Sequence, residues 1–474
     1  MSPARVLGPE NWRVSGSDGD VSECGPRMSW SMTFELRLIK RLQALLQEVL
    51  AAVRHHSHVN WALADQAMVS ACNFLTMVLL ARYLGVQEFG RFTLAWMVVL
   101  ISINLHATLV ISPMMSIGPK QRAGDRPGYF GALMLQQLVV VVIATVLILG
   151  GALASDSLFP SWHAGQLALP LACAAVAYNA QEFLRRYFFS IGSVVHAFTT
   201  DAIRYPGQIV AFVALSQLTE LDVNTALWII FASAMLGLVP FIRHFERMRW
   251  DRKFFRAAIV RHWNFSKWLT VGSIMSMASA NLLFIAAGAF LGASAVGALN
   301  AARTLLGVTN IVFFGLDNIV PAQAARRFHE AGIGALNQYL GRLTILVGAL
   351  TSSIVIVAAV MPEFWLRLAF GPEYSGFGYL VQWWAVVILV YAPNVPLRAG
   401  LLAIERTKAI FFASLFSTLF VCASAYSLVT QFELIGVVVG MIAMNLCRNG
   451  LLANSFFRQL PQLRSTEGTQ PESH

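Results

Sequence analysis

The sequence predicts an all-α, polytopic membrane protein with about 12 transmembrane helices in two six-helix bundles around a central cavity. Composition is the first reason: the mean hydropathy is +0.62 and 12% of the residues are charged, whereas soluble domains carry about 25%. Apolar runs of about twenty residues, long enough to cross the hydrocarbon layer as helices, recur along the chain. Lys and Arg collect in alternate loops between these runs, which is typical of cytoplasmic loops.

The first apolar run and a later one indicate an internal repeat. A shift of 207 positions aligns Trp61–Gly90 with Trp268–Gly297 and gives 7 identities in 30 positions. The Leu84-Gly85 turn is among the identities. Internally duplicated halves are common in membrane transporters, so the repeat predicts two halves of similar structure.

Hydropathy places six spans in each half. The loops after spans 2, 4, 6, 8 and 10 are basic, and those after spans 3, 5 and 11 contain no Lys or Arg, which predicts that both termini are cytoplasmic. The net charge of +10 therefore indicates contact with anionic lipid rather than nucleic acid. The predicted spans cover about 60–82, 92–113, 130–153, 166–188, 203–218, 224–242, 267–291, 298–320, 338–361, 378–398, 409–430 and 434–455.

The segments between and around the spans complete the predicted organisation. The segment 33–57 has an apolar stripe flanked by basic residues, which predicts an amphipathic helix on the cytoplasmic leaflet. An ordinary helix packed against the bundle is the alternative. The predicted segments are 1–32, a disordered polar tail; 33–57, the interfacial helix; 58–242, the N-terminal bundle; 243–266, a basic cytoplasmic linker; 267–455, the C-terminal bundle; and 456–474, a polar tail.

Polar side chains within the spans are candidates for a cavity lining, because an ionisable group in hydrocarbon costs about 2.5–3.5 kcal/mol. In span 1 these are Asp65 and Asn73, with Arg82 at the outer end. In span 8, a regular helix would place the heptad-spaced Arg303, Asn310 and Asp317 on one line. The alternatives are hydrogen bonding between helices in span 1 and an internal salt-bridge seam in span 8.

A second group of polar residues lies at the predicted cytoplasmic ends of spans 4 and 10. Glu182, Arg185 and Arg186 belong to span 4, and Asn394 and Arg398 to span 10. They are candidates for a cytoplasmic gate, although a cap of snorkelling arginines is an equally good interpretation. No phosphate-binding loop, zinc-protease motif or nucleophile elbow occurs. We therefore expect no enzyme activity, cofactor or metal site.

Two stretches resemble the lipid-linked polysaccharide flippases, the Wzx-type O-antigen and exopolysaccharide translocases of the multidrug/oligosaccharidyl-lipid/polysaccharide (MOP) superfamily. The first contains Ala81-Arg82-Tyr83-Leu84-Gly85 followed by Glu88-Phe89-Gly90, and the second contains Phe370-Gly371-Pro372-Glu373-Tyr374. The resemblance covers about residues 58–455 in span number and orientation. It implies two six-helix bundles that carry a polyprenyl-pyrophosphate-linked oligosaccharide across a bacterial inner membrane for polysaccharide biosynthesis.

The resemblance assigns roles to the candidate residues. Arg82 and Arg303 would bind the pyrophosphate, since guanidinium groups match phosphate oxygens in pairs. Asp65, Asn73, Asn310 and Asp317 would support ion coupling or hydrogen bonding to sugar. The implied partners are the lipid-linked oligosaccharide, membrane lipids, a polysaccharide polymerase and glycosyltransferases. The alternatives are a cation-coupled multidrug antiporter of the same superfamily, a non-transporting scaffold of a polysaccharide assembly complex and a membrane glycosyltransferase.

Overall fold

Helices make up all the regular structure of the described residues, which in this computed structural model are 57–122, 124–158, 164–239 and 252–461. The all-α prediction is thus confirmed. The predicted tail 1–32 and nearly all of the predicted helix 33–57 lie outside these residues. The longer helices are α1 Ser57–His106, α2 Ser112–Ile117, α3 Arg126–Leu158, α4 Ala164–Ser190, α5 Val194–Ser216, α6 Val223–Leu238, α7 Arg252–Leu291, α8 Ala293–Leu305, α9 Thr309–Val360, α10 Pro362–Phe370, α11 Gly378–Tyr391, α12 Asn394–Ala403 and α13 Thr407–Phe457.

Three of these helices are too long to be single spans, and each has a break in its backbone. Gly85 divides α1, Gly332 divides α9 and Glu433 divides α13, all with positive φ. A Cβ on Gly440 would contact Leu428, although twelve residues of straight helix would separate them by about 18 Å. The chain therefore reverses at Glu433. Counted with these breaks, the described helices correspond to the twelve predicted spans, except that residues 240–242 of the sixth lie outside the described residues.

Length and hydropathy agree with a multi-pass membrane protein. Eight described helical segments are long and apolar enough to cross a membrane. The two longest, Ala64–Lys120 and Thr407–Phe457, each contain two of the predicted spans. The shorter apolar helix α6 is Val223–Leu238.

Two helices begin earlier than the hydropathy predicts. Helix α5 starts at Val194 rather than about 203, and α7 starts at Arg252, inside the predicted linker 243–266. Hydropathy marks the part of a helix that lies in hydrocarbon, whereas polar turns extend it into the interface. The difference matters for α5 because the additional turns contain Asp201.

The structure contains the predicted repeat in two features: the turns that follow spans 1 and 7, and the place where the next two helices cross. Gly85 has φ 71° and ψ 177°, and Gly292, 207 positions later, has φ 88° and ψ 176°. A Cβ on Gly90 would overlap the Ala293 carbonyl, and a Cβ on Gly297 would overlap the Val86 carbonyl. A shift of 207 positions converts one contact into the other, because Gly90 aligns with Gly297 and Val86 aligns with Ala293. Spans 2 and 8 therefore cross at equivalent glycines.

Further contacts hold the two halves together on the side of this crossing, which is the predicted outer side. Asn300 Nδ2 donates to Thr93 Oγ1 at 2.9 Å, a contact between positions 207 apart. The Tyr374 hydroxyl donates to the Ala81 carbonyl at 3.1 Å. Burial raises the pKa of Tyr374, and the Glu373 carboxylate raises this pKa further, so the hydroxyl keeps its proton at physiological pH.

On the opposite, predicted cytoplasmic side, α7 packs against the first half along one edge. A π-helical segment, Ala107–Ile111, follows α1, and within it Thr108 Oγ1 accepts a hydrogen bond from Thr270 at 3.2 Å. Tyr129 of α3 is hydrogen-bonded to His262 at 3.0 Å. The halves therefore also meet along one edge on the predicted cytoplasmic side, through a different set of helices.

Candidate functional site

A network of buried charges lies in the first half, where α1, α4 and α5 meet. Arg185 of α4 is central: its Nη2 lies 2.6 Å from Asp65 Oδ2, and its Nε lies 2.6 Å from Asp201 Oδ2. Its Nη1 is 3.6 Å from Glu182. The contact with Asp65 is also a hydrogen bond, whereas the angle of the contact with Asp201 makes it an ion pair alone. Asp65 and Asp201 have no exposed surface. One guanidinium therefore connects three helices.

A second arginine, Arg204 of α5, joins the same network and is fully buried. Its Nη1 donates to Gln181 Oε1, and Gln181 Nε2 donates to Asp201 Oδ1 at 2.6 Å. The Arg204 guanidinium carbon lies 3.8 Å from the ring centroid of Tyr178 and 4.6 Å from that of Tyr205. Aromatic faces attract a cation, most strongly where water is excluded. The two rings therefore stabilise a charge that has no direct contact with a described carboxylate.

The network is electrically balanced. Glu182 also accepts from Arg186 at 2.6 Å, and the Arg186 side chain is 40% exposed. Three carboxylates thus face three guanidinium groups. Buried charges are tolerated in a membrane when opposite charges lie close to them. This cluster supplies them without any ligand, although Asp65 Oδ1 and Arg204 Nε have no hydrogen-bond partner among the described residues.

The structure brings together residues to which the sequence assigns separate roles. Glu182, Arg185 and Arg186, the predicted gate residues of span 4, contact Asp65, the predicted coupling residue of span 1. Asp201 and Arg204 are not among the candidates that the sequence indicates. The late predicted start of span 5 excludes Asp201, whereas Arg204 lies inside the predicted span 203–218 as an ionisable residue in an apolar run.

Replacing Asp65 with alanine should destabilise the fold strongly. The substitution leaves the buried Arg185 with one carboxylate fewer, and removing one partner of a buried pair typically costs about 3–5 kcal/mol. The midpoint of thermal unfolding in detergent should fall clearly below that of the wild type. Asn73→Ala is the matched control, because Asn73 is on the same helix and is exposed. Equal midpoints for the two variants would contradict the central role of this ion pair.

Arg303, a predicted pyrophosphate ligand, lies at the end of α8. Its side chain is exposed, yet it lies deep within the protein. Its guanidinium carbon is 5.6 Å from the centroid of the fully buried Phe284 ring. An accessible side chain surrounded by many protein atoms is what we expect of a residue that lines an open cleft. Among the described side chains, Arg303 has no carboxylate partner.

The predicted polar line of span 8 is interrupted. The segment Leu306–Val308 is a 3-10 helix, which turns about 120° per residue instead of 100°. Arg303 and Asn310 therefore do not keep the alignment of a continuous α-helix. Asn310 is exposed, and the side chain of Asp317 lies outside the described part of the structure.

Arg82, the other predicted pyrophosphate ligand, occupies a different environment. It is exposed beside the Gly85 turn, and its Nη1 donates to the Leu368 carbonyl at 3.5 Å, which is at the limit for a hydrogen bond. This contact connects the first half to the segment before α11. Asn73 is also exposed.

The predicted gate residues of span 10 lie close to a further arginine, Arg448 of α13. Asn394 Nδ2 donates to Asn449 Oδ1 at 3.0 Å, and Asn449 donates to the Val390 carbonyl at 2.6 Å. Arg448 Nη2 donates to Asn445, but its buried Nε has no hydrogen-bond partner. Neither the exposed Arg398 nor Arg448 forms an ion pair with a described carboxylate.

Comparisons with known proteins identify the fold. No family model matches the chain, and no curated protein does. Among solved structures, an inward-facing multidrug resistance MATE family transporter of the MOP superfamily gives a TM-score of 0.68 at 14% identity, over 85% of this chain and 96% of that one. The outward-facing conformation of such a transporter gives 0.54 at 14% identity, over 85% and 94%.

This chain has the MATE transporter fold. A MOP superfamily transporter from Pyrococcus furiosus, whose binding pocket is described as having reverse polarity, gives a TM-score of 0.58 at 14% identity, over 84% of this chain and 94% of that one. Within the described residues, no three His, Cys, Asp or Glu side chains are grouped as metal ligands would be.

Proposed function

We propose that this protein moves a polyprenyl-pyrophosphate-linked oligosaccharide across a bacterial inner membrane by alternating access, for polysaccharide biosynthesis. The observation that carries this proposal is Arg303, an accessible cation deep in the protein without a described carboxylate partner. A pyrophosphate group would supply the missing negative charge. Arg303 and Arg82 are the proposed ligands, because guanidinium groups bind phosphate oxygens in a bidentate manner.

The difference between the two halves supports an anionic substrate. The first half pairs Arg185 and Arg186 with carboxylates and covers Arg204 with aromatic rings. In the second half, Arg303, Arg398 and Arg448 form no described ion pair. An unpaired cation inside a membrane is energetically costly. An anionic substrate that passes these side chains would lower this cost by pairing with them. Asn73, Asn310 and Asp317 are proposed to assist with ion coupling or sugar hydrogen bonding.

A cation-coupled multidrug antiporter is the second candidate. It is favoured by the paired acids Asp65 and Asp201, since buried carboxylates can exchange a proton or metal cation. Two of the similar solved structures are described as multidrug resistance transporters. Arg185 already contacts both carboxylates, and this weighs against the antiporter because a coupling cation would have to displace the guanidinium.

A reconstitution experiment distinguishes the two functions. The full-length protein is placed in phosphatidylcholine vesicles with a fluorescent polyprenyl-pyrophosphate disaccharide, and a membrane-impermeant reductant bleaches the outer leaflet. Flipping brings protected molecules to the outside, so bleaching should proceed towards completion in protein-containing vesicles and stop early in empty ones. A parallel arm measures resistance to cationic drugs in a pump-deficient host. Drug resistance without lipid flipping would refute the proposal and support the antiporter.

A further inference from the structure

A basic pocket lies at the predicted cytoplasmic face of the second half, away from Arg303 and from the buried network. It forms because α13 reverses at Glu433, which brings its first residues beside its last. The pocket has a volume of about 250 Å³. Its polar lining comprises Arg406, Lys408, Asn454, Ser455, Arg458 and Gln459.

The charged residues that line this pocket are all positive. Arg406, Lys408 and Arg458 supply three cations, and no acidic residue lines the cavity. None of the three forms an ion pair with a described carboxylate. The nearest acid along the chain, Glu405, is exposed in the preceding turn at φ 58°. Three like charges around one cavity repel each other unless an anion lies between them.

The neutral part of the lining suits the same ligand. Asn454 and Gln459 offer amide N–H groups and Ser455 a hydroxyl. The pocket also adjoins Thr407, the first residue of α13, and a helix N-terminus carries partial positive charge. By volume the cavity could hold about eight water molecules at about 30 Å³ each, which is enough space for a phosphate group and its ester substituent.

We propose that this pocket binds the phosphate group of an anionic phospholipid or of a soluble phosphate compound. Its position at the ends of spans 10, 11 and 12 puts it at the boundary between hydrocarbon and water, where headgroup phosphates lie. Basic pockets between helices on the cytoplasmic side are suited to anionic headgroups. The site is independent of the proposed transport function.

The test uses thermal unfolding of the purified full-length protein in neutral detergent. Cardiolipin, phosphatidylglycerol, phosphatidylcholine and inorganic phosphate are titrated separately. Stabilisation by the anionic lipids alone identifies a headgroup as the ligand, and stabilisation by inorganic phosphate identifies a soluble phosphate. The variant Arg406→Gln/Lys408→Gln/Arg458→Gln should bind the active ligand roughly 10- to 100-fold more weakly.

A control variant that loses the same number of positive charges elsewhere distinguishes binding in this pocket from non-specific electrostatic attraction of the anion to the protein. Arg326→Gln/Arg327→Gln/Arg342→Gln removes the same number of charges from exposed positions in the same half and should leave the affinity unchanged. Native mass spectrometry of the retained lipid provides a second readout that does not depend on stability. Equal losses in both triple variants, an undiminished effect in the pocket variant, or no stabilisation by any of the phosphates would each overturn the proposal.

Discussion

Replacing Arg303 with alanine should strongly slow translocation of the proposed lipid-linked oligosaccharide while the protein remains folded in the membrane. The side chain is accessible. Among the described residues, its removal breaks no ion pair or hydrogen bond and only the contact with the Phe284 ring. A charge-assisted hydrogen bond to an anion is worth about 1.5–3 kcal/mol, and losing a bidentate contact should slow flipping roughly 10- to 100-fold. The vesicle bleaching assay measures this rate directly.

The conservative variant and a remote variant sharpen this prediction. Arg303→Lys keeps the charge but not the planar pair of donors, so it should retain part of the rate. Arg342→Ala, an exposed arginine of the same half, should behave as the wild type. We expect Arg82→Ala to resemble Arg303→Ala. Normal flipping by the double variant Arg82→Ala/Arg303→Ala would exclude both arginines as pyrophosphate ligands.

Replacing Gly90 with alanine should prevent the two halves from meeting on the outer side. The added Cβ would overlap the Ala293 carbonyl and come 2.9 Å from the Gly297 nitrogen. Both are backbone atoms of span 8 and cannot rotate away. The helices must then separate, and the two halves lose their close contact on the predicted outer side. We expect transport to be lost and the midpoint of thermal unfolding to fall.

A glycine with free space is the matched control for this substitution. Gly348 lies within α9 and has nothing within 4 Å of its Cβ position, so Gly348→Ala should be tolerated or slightly stabilising, since alanine favours the helix. Gly297→Ala should reproduce the effect of Gly90→Ala, because the two glycines occupy equivalent positions. Wild-type transport by either crossing variant would show that close backbone contact is not required.

The repeat was detectable in the sequence because its strongest identities are glycines. Gly85 and Gly292 both need a positive φ, and Gly90 and Gly297 both lie at a backbone contact. Only glycine meets such requirements without strain or overlap. The apolar positions between them tolerate exchange, and so the surrounding identity is low. The spans could be predicted from hydropathy because a membrane-spanning helix requires apolar residues in general and no particular one.

The pairing within the candidate site could not be predicted in the same way. Arg185 lies 120 positions from Asp65 in sequence, and no periodic pattern connects residues on different helices. Asp201 was missed because it lies in the polar turns before the apolar part of α5. The line through Arg303 and Asn310 assumed an uninterrupted helix, and the 3-10 segment Leu306–Val308 breaks it. Contacts between helices and a short 3-10 segment depend on tertiary packing, which the spacing of residues in the sequence does not reveal.

The crossing of Gly90 and Gly297 has the form of an isologous interface, in which the same patch is presented by both partners. A two-fold homodimer of six-span chains would make this contact twice, once from each subunit. Joining two such subunits into one polypeptide preserves this glycine interface. The remaining residues of each copy can then change independently. One half contains balanced acids and bases, and the other contains Arg303, Arg398 and Arg448 without a described ion pair. Such a fusion permits this difference between the copies.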